Sequence, residues 1–411
     1  MRIDAVEVIV TSPGRNFVTV RIITDSGIVG LGDATVNGRE LAVVSYLEDH
    51  VGPILRGRDA SRIEEIWHYL YRGAYWRRGP VTMAAISAID MALWDIKAKV
   101  ADMPLYQLLG GRVREGALAY AHAFGTSTEE LIAAIQAKLD DGFQTVRIQS
   151  AVPGLDGVYG IPHGKGKDNN GAVEDYEPAH RSAKPIEETW NSAAYLRHVP
   201  TVFAAVREHF GFDLPLLHDA HHRLTPNEAA ILGRSLEPYD LFWLEDVTPV
   251  EQQQNLRRVR SMTTTPLAIG EVFNSIHDCY HLVTEQLIDY LRVPPTHGGG
   301  ITGIRKLMDF AALHQVKSGF HGPTDISPVG KAASVHLDVA LHNFGIQEYM
   351  QHADVTFEVF SSDVTFANGQ LNPGETPGLG VDIDTAAARE FPYEPAYLPV
   401  ARLQDGTIHD W

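Results

Sequence analysis

From residue 115 onward the chain repeats one unit, a short apolar run followed by a helical stretch, and this repeat restricts the fold more than any other feature. Candidate strands end near His122, Arg147, Asp219, Glu245, Glu271, Arg292, His321 and Glu348. Five of the seven intervals between these ends span 25 to 29 residues. A strand with its crossover helix needs about 30 residues or somewhat fewer. Eight such units in succession close into a parallel (β/α)8 barrel. The intervening helices carry start and stop signals. Ser127 with Glu130, and Thr225 with Glu228, have capping-box spacing, and Pro226 stands at a first helical position. Leu131, Ile135 and Leu139 recur at helical spacing before Gly142.

The first third reads differently. Residues 6–10, 17–23 and 28–33 are rich in β-branched side chains, with Asp25-Ser26-Gly27 as a turn between the last two. This pattern predicts an antiparallel meander. Ile86, Ile89, Leu93, Ile96 and Val100 then mark one buried stripe on a helix. Pro104 and Gly110-Gly111 mark an exit from this unit. The expected organisation is an α+β capping domain over residues 1–112, a modified TIM-type (β/α)8 barrel over 113–365, and a C-terminal segment, 366–411, that returns to the cap and the active site. The 72-residue interval from Arg147 to Asp219 is out of step with the rest. Its excess includes residues 150–186, with a polar, glycine-rich run at 163–171. A surface loop is the plain reading. A lid following the second strand, on the face where barrel active sites lie, is the functional one.

Net charge is −18, from 34 basic and 52 acidic residues. An acidic surface of this kind argues against nucleic acid or an anionic membrane as partner. No apolar run approaches the roughly 18 residues needed to span a bilayer. Met1-Arg2-Ile3-Asp4 does not start a signal core, and the single Cys279 excludes an intrachain disulfide. A cytoplasmic location is expected.

Asp219, Glu245 and Glu271 end three successive apolar runs, two equal steps of 26 residues apart. Neighbouring strands lie about 4.8 Å apart, so side chains at one height on three adjacent strands converge. Three bare carboxylates that close repel, and at least one is driven neutral. A hard divalent cation removes the conflict, and Mg²⁺ suits carboxylates while keeping positions open for water or substrate. The alternative is that each acid caps a helix or pairs with a basic side chain. Two other motifs point elsewhere only weakly. Gly298 to Gly303 fits G-x-G-x-x-G, but a dinucleotide site also wants an acid at the end of the next strand, which ends in His321, so the run reads as a tight strand-to-helix turn. His221-His222 does not form the H-E-x-x-H pattern of zinc peptidases, and Cys279 reads as buried and inert.

The stretches Ser87-Ala88-Ile89-Asp90-Met91-Ala92-Leu93-Trp94-Asp95-Ile96 and Leu105-Tyr106-Gln107-Leu108-Leu109-Gly110-Gly111, together with the acidic trio, resemble the enolase superfamily over nearly the whole chain. The resemblance implies a lid domain on a modified barrel, the trio as Mg²⁺ ligands, and abstraction of a proton next to a carboxylate. Such a proton is weakly acidic because its removal builds a second negative charge on the same group. A bound cation stabilises that charge, a pattern already described for enolase-superfamily sites. Many members place Lys-x-Lys on the second strand, whereas this chain has Val146-Arg147-Ile148-Gln149. A racemase or cycloisomerase would want a lysine at Arg147 or Gln149.

His122, Arg147, Tyr159, the stretch from His218 to Pro226, and Trp411 instead resemble the mannonate dehydratase subgroup, whose bacterial relatives include proteins described as starvation-sensing. The resemblance implies that Tyr159 takes the C2 proton with help from Arg147, and that His221 is the acid that assists loss of the 3-hydroxyl. Tyrosine has a pKa of about 10, which a guanidinium within hydrogen-bond reach lowers. By the same resemblance Asn37, His122, Arg292, His321, Asp325, Glu348 and Trp411 contact substrate. The product expected from D-mannonate or D-gluconate is 2-keto-3-deoxy-D-gluconate, and the subgroup suggests a tetramer or octamer. Pro323 stands where subgroup members carry alanine or proline. Proline there goes with weak activity, or with activity extending to gluconate. A weakly active or non-catalytic protein that binds sugar acids is thus the second reading.

Overall fold

The computed structural model describes residues 1–155 and 184–410. Tyr159, the polar run at 163–171 and Trp411 lie outside the described residues.

Strands Ile3–Thr11, Phe17–Thr24 and Val29–Asp33 form the expected antiparallel meander. One face of it carries Val18, Val20 and Ile22, all buried. Helix Pro80–Val100 packs on the sheet so closely that a Cβ on Gly32 would overlap the backbone of Ala88. Sequence periodicity showed one apolar stripe, but this helix is buried on nearly every side. Val100, expected on the stripe, is exposed because the helix ends there beside Lys97 and Lys99.

The polar side chains of this helix fasten the cap to the barrel. Ser87 Oγ accepts hydrogen bonds from the amides of Gly299 (2.9 Å) and Gly300 (3.1 Å). Asp90 Oδ2 accepts from Thr302 N at 2.9 Å. Asp95 accepts from Leu31 N (3.0 Å) and Leu379 N (2.8 Å). The glycine run at 298–300 is therefore a packing device. Gly300 has φ +72°, and a Cβ there would overlap the Asp90 carboxylate. Further ties run to the loops after the later barrel strands. His297 Nε2 donates to Thr35 O at 2.9 Å, Arg15 Nη1 donates to Thr324 Oγ1 at 2.7 Å, and Ser327 N donates to Asp33 Oδ2 at 2.8 Å.

Burial raises Asp90 to about 7, against hydrogen bonds from Thr302 that favour its charged form. The folded protein therefore holds this proton more tightly than the unfolded chain does. Below about pH 4 the group costs nothing, and stability is lost as pH rises toward 7. Asp90→Asn mimics the protonated acid and keeps an acceptor for Thr302 N. The variant is expected to melt higher than the parent, by a margin that grows from pH 4 to 7 and is level above it. At its plateau the gain has an upper bound of about 4 kcal/mol. Thermal melts across that range check this, and a margin that does not change with pH would remove Asp90 as the cause.

Eight parallel strands follow: Ala117–Gly125, Val146–Ser150, Leu216–Asp219, Trp243–Glu245, Leu267–Ile269, Tyr290–Leu291, Lys317–Ser318 and Gln347–Glu348. Each of the first seven pairs with its neighbour in this order except that the seventh meets the run before the eighth through a Ser318–Phe344 bridge. The eighth strand pairs with the first and closes the cylinder. A hairpin, Thr365–Ala367 with Gln370–Asn372, adds antiparallel to the start of the first strand. Tyr120, Leu217, Trp243, Ala268 and Ile346 fill the barrel interior, so the cylinder is a packed plug rather than a pore. Thr225 and Glu228 form a reciprocal capping box. At the other expected box, Ser127 accepts from Glu130 N, but the Glu130 carboxylate turns to Thr126 N instead of Ser127 N. No helix among the described residues is long and apolar enough to cross a membrane.

Candidate active site

All the described site residues that sequence reasoning placed on barrel strands or just after them meet at one end of the cylinder. They do not all end strands. His122 and Arg147 lie within theirs and are direct register partners. Asp219 and Glu245 do end their strands and are likewise register partners, which puts both carboxylates at one height. Glu271 follows the fifth strand by two residues, and Arg292 follows the sixth by one.

Two buried arginines organise the acids. Arg147 Nη1 lies 2.6 Å from Glu245 Oε1, 3.2 Å from Asp219 Oδ2 and 3.4 Å from Glu348 Oε1. Its Nη2 donates to His122 Nδ1 at 3.1 Å, so the other ring nitrogen of His122 carries the hydrogen and donates to Glu348 Oε1 at 2.7 Å. Arg292 Nη2 donates to Glu348 Oε2 (2.8 Å) and Glu271 Oε2 (3.1 Å), and its Nη1 to the Tyr120 hydroxyl (2.8 Å). His321 bridges Glu271 and Asp325, each at 3.2 Å. His221 stands 3.5 Å from Glu271, and its backbone N–H donates to Asp219 Oδ1 at 2.6 Å. Asn37 is half-buried in the loop after the third cap strand.

The electrostatics follow from burial and crowding. Asp219 is pushed well above the usual carboxylate range by burial and then by Glu245. Burial, with Arg147 adding to it, lowers His122 to about 3, so the ring is neutral. Burial would raise Glu271, but hydrogen bonds from His222 and His321 outweigh it and hold that carboxyl well below the usual range. Burial pushes His221 well below the imidazole range, with Glu271 opposing.

The acids offer an oxygen-rich donor set of the kind Mg²⁺ prefers. Asp219 and Glu245 face one guanidinium nitrogen, and Arg292 reaches Glu245 (3.5 Å) as well as Glu271. The expected trio thus lies in one charged network. A cluster with metal-ligand spacing shares only Glu271 with it. Among the described residues, His222, Asp246 and Glu271 have ligand atoms all within 4.8 Å of one another. Sequence reasoning passed over His222 and Asp246. A signal existed, since Asp246 makes a second acid directly after Glu245. Trp243 was also missed; its indole N–H donates to Glu245 Oε2 at 2.6 Å.

His221, His222 and Asp246 have φ of 48°, 62° and 39°. Side-chain-bearing residues seldom adopt that left-handed region, and such strain persists only where the surroundings impose it, often at functional sites.

Comparison with known proteins shows the family of the chain. Residues 5–110 match the mandelate racemase/muconate lactonizing enzyme N-terminal domain, and residues 130–387 match the enolase C-terminal domain-like family. A D-galactonate dehydratase family member from Pseudarthrobacter chlorophenolicus is 59% identical over the full length of both chains. A D-mannonate dehydratase from a Caulobacter species is 55% identical, covering 100% of this chain and 99% of its own. A solved enolase from Pantoea ananatis, with bound D-gluconate and Mg, superposes with a TM-score of 0.90 at 38% identity, covering 100% of both chains. With both domains matched and such relatives spanning its length, the chain belongs to the enolase superfamily and, within it, to a family of sugar-acid dehydratases, which are carbon–oxygen lyases.

Proposed function

We propose that the protein dehydrates D-mannonate, and secondarily D-gluconate, to 2-keto-3-deoxy-D-gluconate in the presence of Mg²⁺. The observation that carries this reading is the union of Asp219, Glu245 and Glu271 with Arg147, Arg292 and His221 at one end of the barrel. Asp219, Glu245 and Glu271 are the residues that would hold Mg²⁺. When bound, the ion supplies Lewis-acid stabilisation of negative charge on the substrate carboxylate. Tyr159, assisted by Arg147, takes the C2 proton. His221 gives a proton to the departing 3-hydroxyl, which leaves as water, and the enol product tautomerises to the 2-keto acid. His221 must carry a proton for that step, which Glu271 favours and burial disfavours. Arg292, His321, Asp325 and Glu348 position the sugar acid, with His122, Asn37 and Trp411 completing the contacts. A tetramer or octamer in the cytoplasm is part of the same reading.

Pro323 favours a second reading. It sits between His321 and Asp325, which bond one another. A weakly active or regulatory protein would bind a sugar acid saturably with negligible turnover. Incubation with Mg²⁺ and a panel of sugar acids, followed by assay for 2-keto acids, separates the two. Product from D-mannonate or D-gluconate is expected. Saturable binding without product would replace the first reading by the second.

A further inference from the structure

Asp246 ties together the ends of four consecutive barrel strands. It directly follows Glu245 at the end of the fourth, and its own N–H donates to Ala268 O in the fifth at 3.0 Å. Its backbone oxygen accepts from His222 N, beyond the third strand, at 2.5 Å. Its Oδ1 accepts from the amide of Gly270, the residue before Glu271, at 3.0 Å. Its Oδ2 accepts from Arg292 Nε, after the sixth strand, at 3.3 Å. The side chain is buried. Four contacts to three neighbouring segments hold the residue at its left-handed φ of 39°.

These contacts address two different functions. The Gly270 amide sets where Glu271 leaves its strand, and so where one cation-binding carboxylate points. The Arg292 contact fixes the inner edge of the guanidinium, whose other nitrogens reach Tyr120, Glu271 and Glu348. We propose that Asp246 is a positioning residue that sets Glu271 for the cation through Oδ1 and Arg292 for the sugar acid through Oδ2. This rests on the function proposed above.

The two halves are separable by substitution. Asp246→Asn keeps an oxygen toward Gly270 N–H but turns an amide NH₂ toward Arg292 Nε–H, donor against donor. Asp246→Ala removes both acceptors. Loss of a group that orients metal ligands commonly costs about 10- to 100-fold in affinity or activity. In Asp246→Asn the KM for D-mannonate or D-gluconate is expected to rise about 10-fold. Its calorimetric affinity for Mg²⁺, measured without sugar acid, should stay near the parent's. In Asp246→Ala both should worsen, the Mg²⁺ affinity by about 10-fold or more. If Asp246→Asn abolishes Mg²⁺ binding, Asp246 is itself a ligand and the proposal is overturned. A parent-like KM in Asp246→Asn overturns the Arg292 half, and a parent-like Mg²⁺ affinity in folded Asp246→Ala overturns the Glu271 half. Should Asp246→Ala not fold, Asp246→Asn and the milder Asp246→Glu carry the test through the same two readouts. If the parent turns over no sugar acid, the dehydratase reading fails separately. Mg²⁺ and D-gluconate titrations then still decide the role of Asp246.

Discussion

Arg147→Met is expected to lower kcat/KM by at least about 10³-fold, within the range set by loss of a positioned acid–base partner, and to destabilise the protein by about 3–5 kcal/mol. Both effects have one origin. A single guanidinium nitrogen serves Asp219, Glu245 and Glu348, while its twin fixes the tautomer of His122. Methionine fills a similar volume but leaves three buried carboxylates short of a cation. Arg147→Lys sharpens the test. Lysine restores the charge as a point without the planar fork, so stability should largely return while turnover stays depressed by about 10- to 100-fold. Steady-state kinetics and thermal melts of the two variants decide the matter. Parent-like turnover in Arg147→Met would exclude a role for Arg147 in proton transfer.

Chelation of divalent cations is expected to reduce turnover by a factor on the order of 10³, the equivalent of several kcal/mol of transition-state stabilisation, with recovery on adding Mg²⁺. It should also weaken D-gluconate binding. Asp219, Glu245, Asp246, Glu271 and Glu348 crowd the two arginines, and a bound cation would add positive charge beside them that favours an anionic sugar acid. Calorimetry of D-gluconate with chelator and then with Mg²⁺ reads this directly. Turnover undiminished by chelator would end the metal assignment.

The barrel was legible because its signal is local. Apolar runs and helix caps recur in register, and the Asp219–Glu245 pairing follows from their equal spacing. The meander of the cap was equally plain. Individual hydrogen bonds were not. Nothing in the run Leu244-Glu245-Asp246 tells which carboxylate turns to Arg147 and which reaches across to Gly270 and to Arg292 Nε. That depends on the left-handed turn of Asp246, a conformation sequence does not announce. Arg147 was read as a helper to Tyr159; its bridging of three carboxylates emerges only when the second, third, fourth and eighth strands stand side by side. The glycine run at 298–300 shows a third kind of limit. Its reason lies on a helix some 200 residues earlier, at Ser87 and Asp90.

That fastening bears on how a substrate gets in. If the cap swung away from the barrel like a door, the amides of Gly299, Thr302 and Ser327 would lose their acceptors together, while Gly300 would keep only its bond to Pro295 O. Each orphaned amide costs about 1–3 kcal/mol if it stays dry. Even where water replaces the lost acceptors, each broken bond costs about 0.5–1.5 kcal/mol net, so these contacts act together to hold roof and barrel as one body.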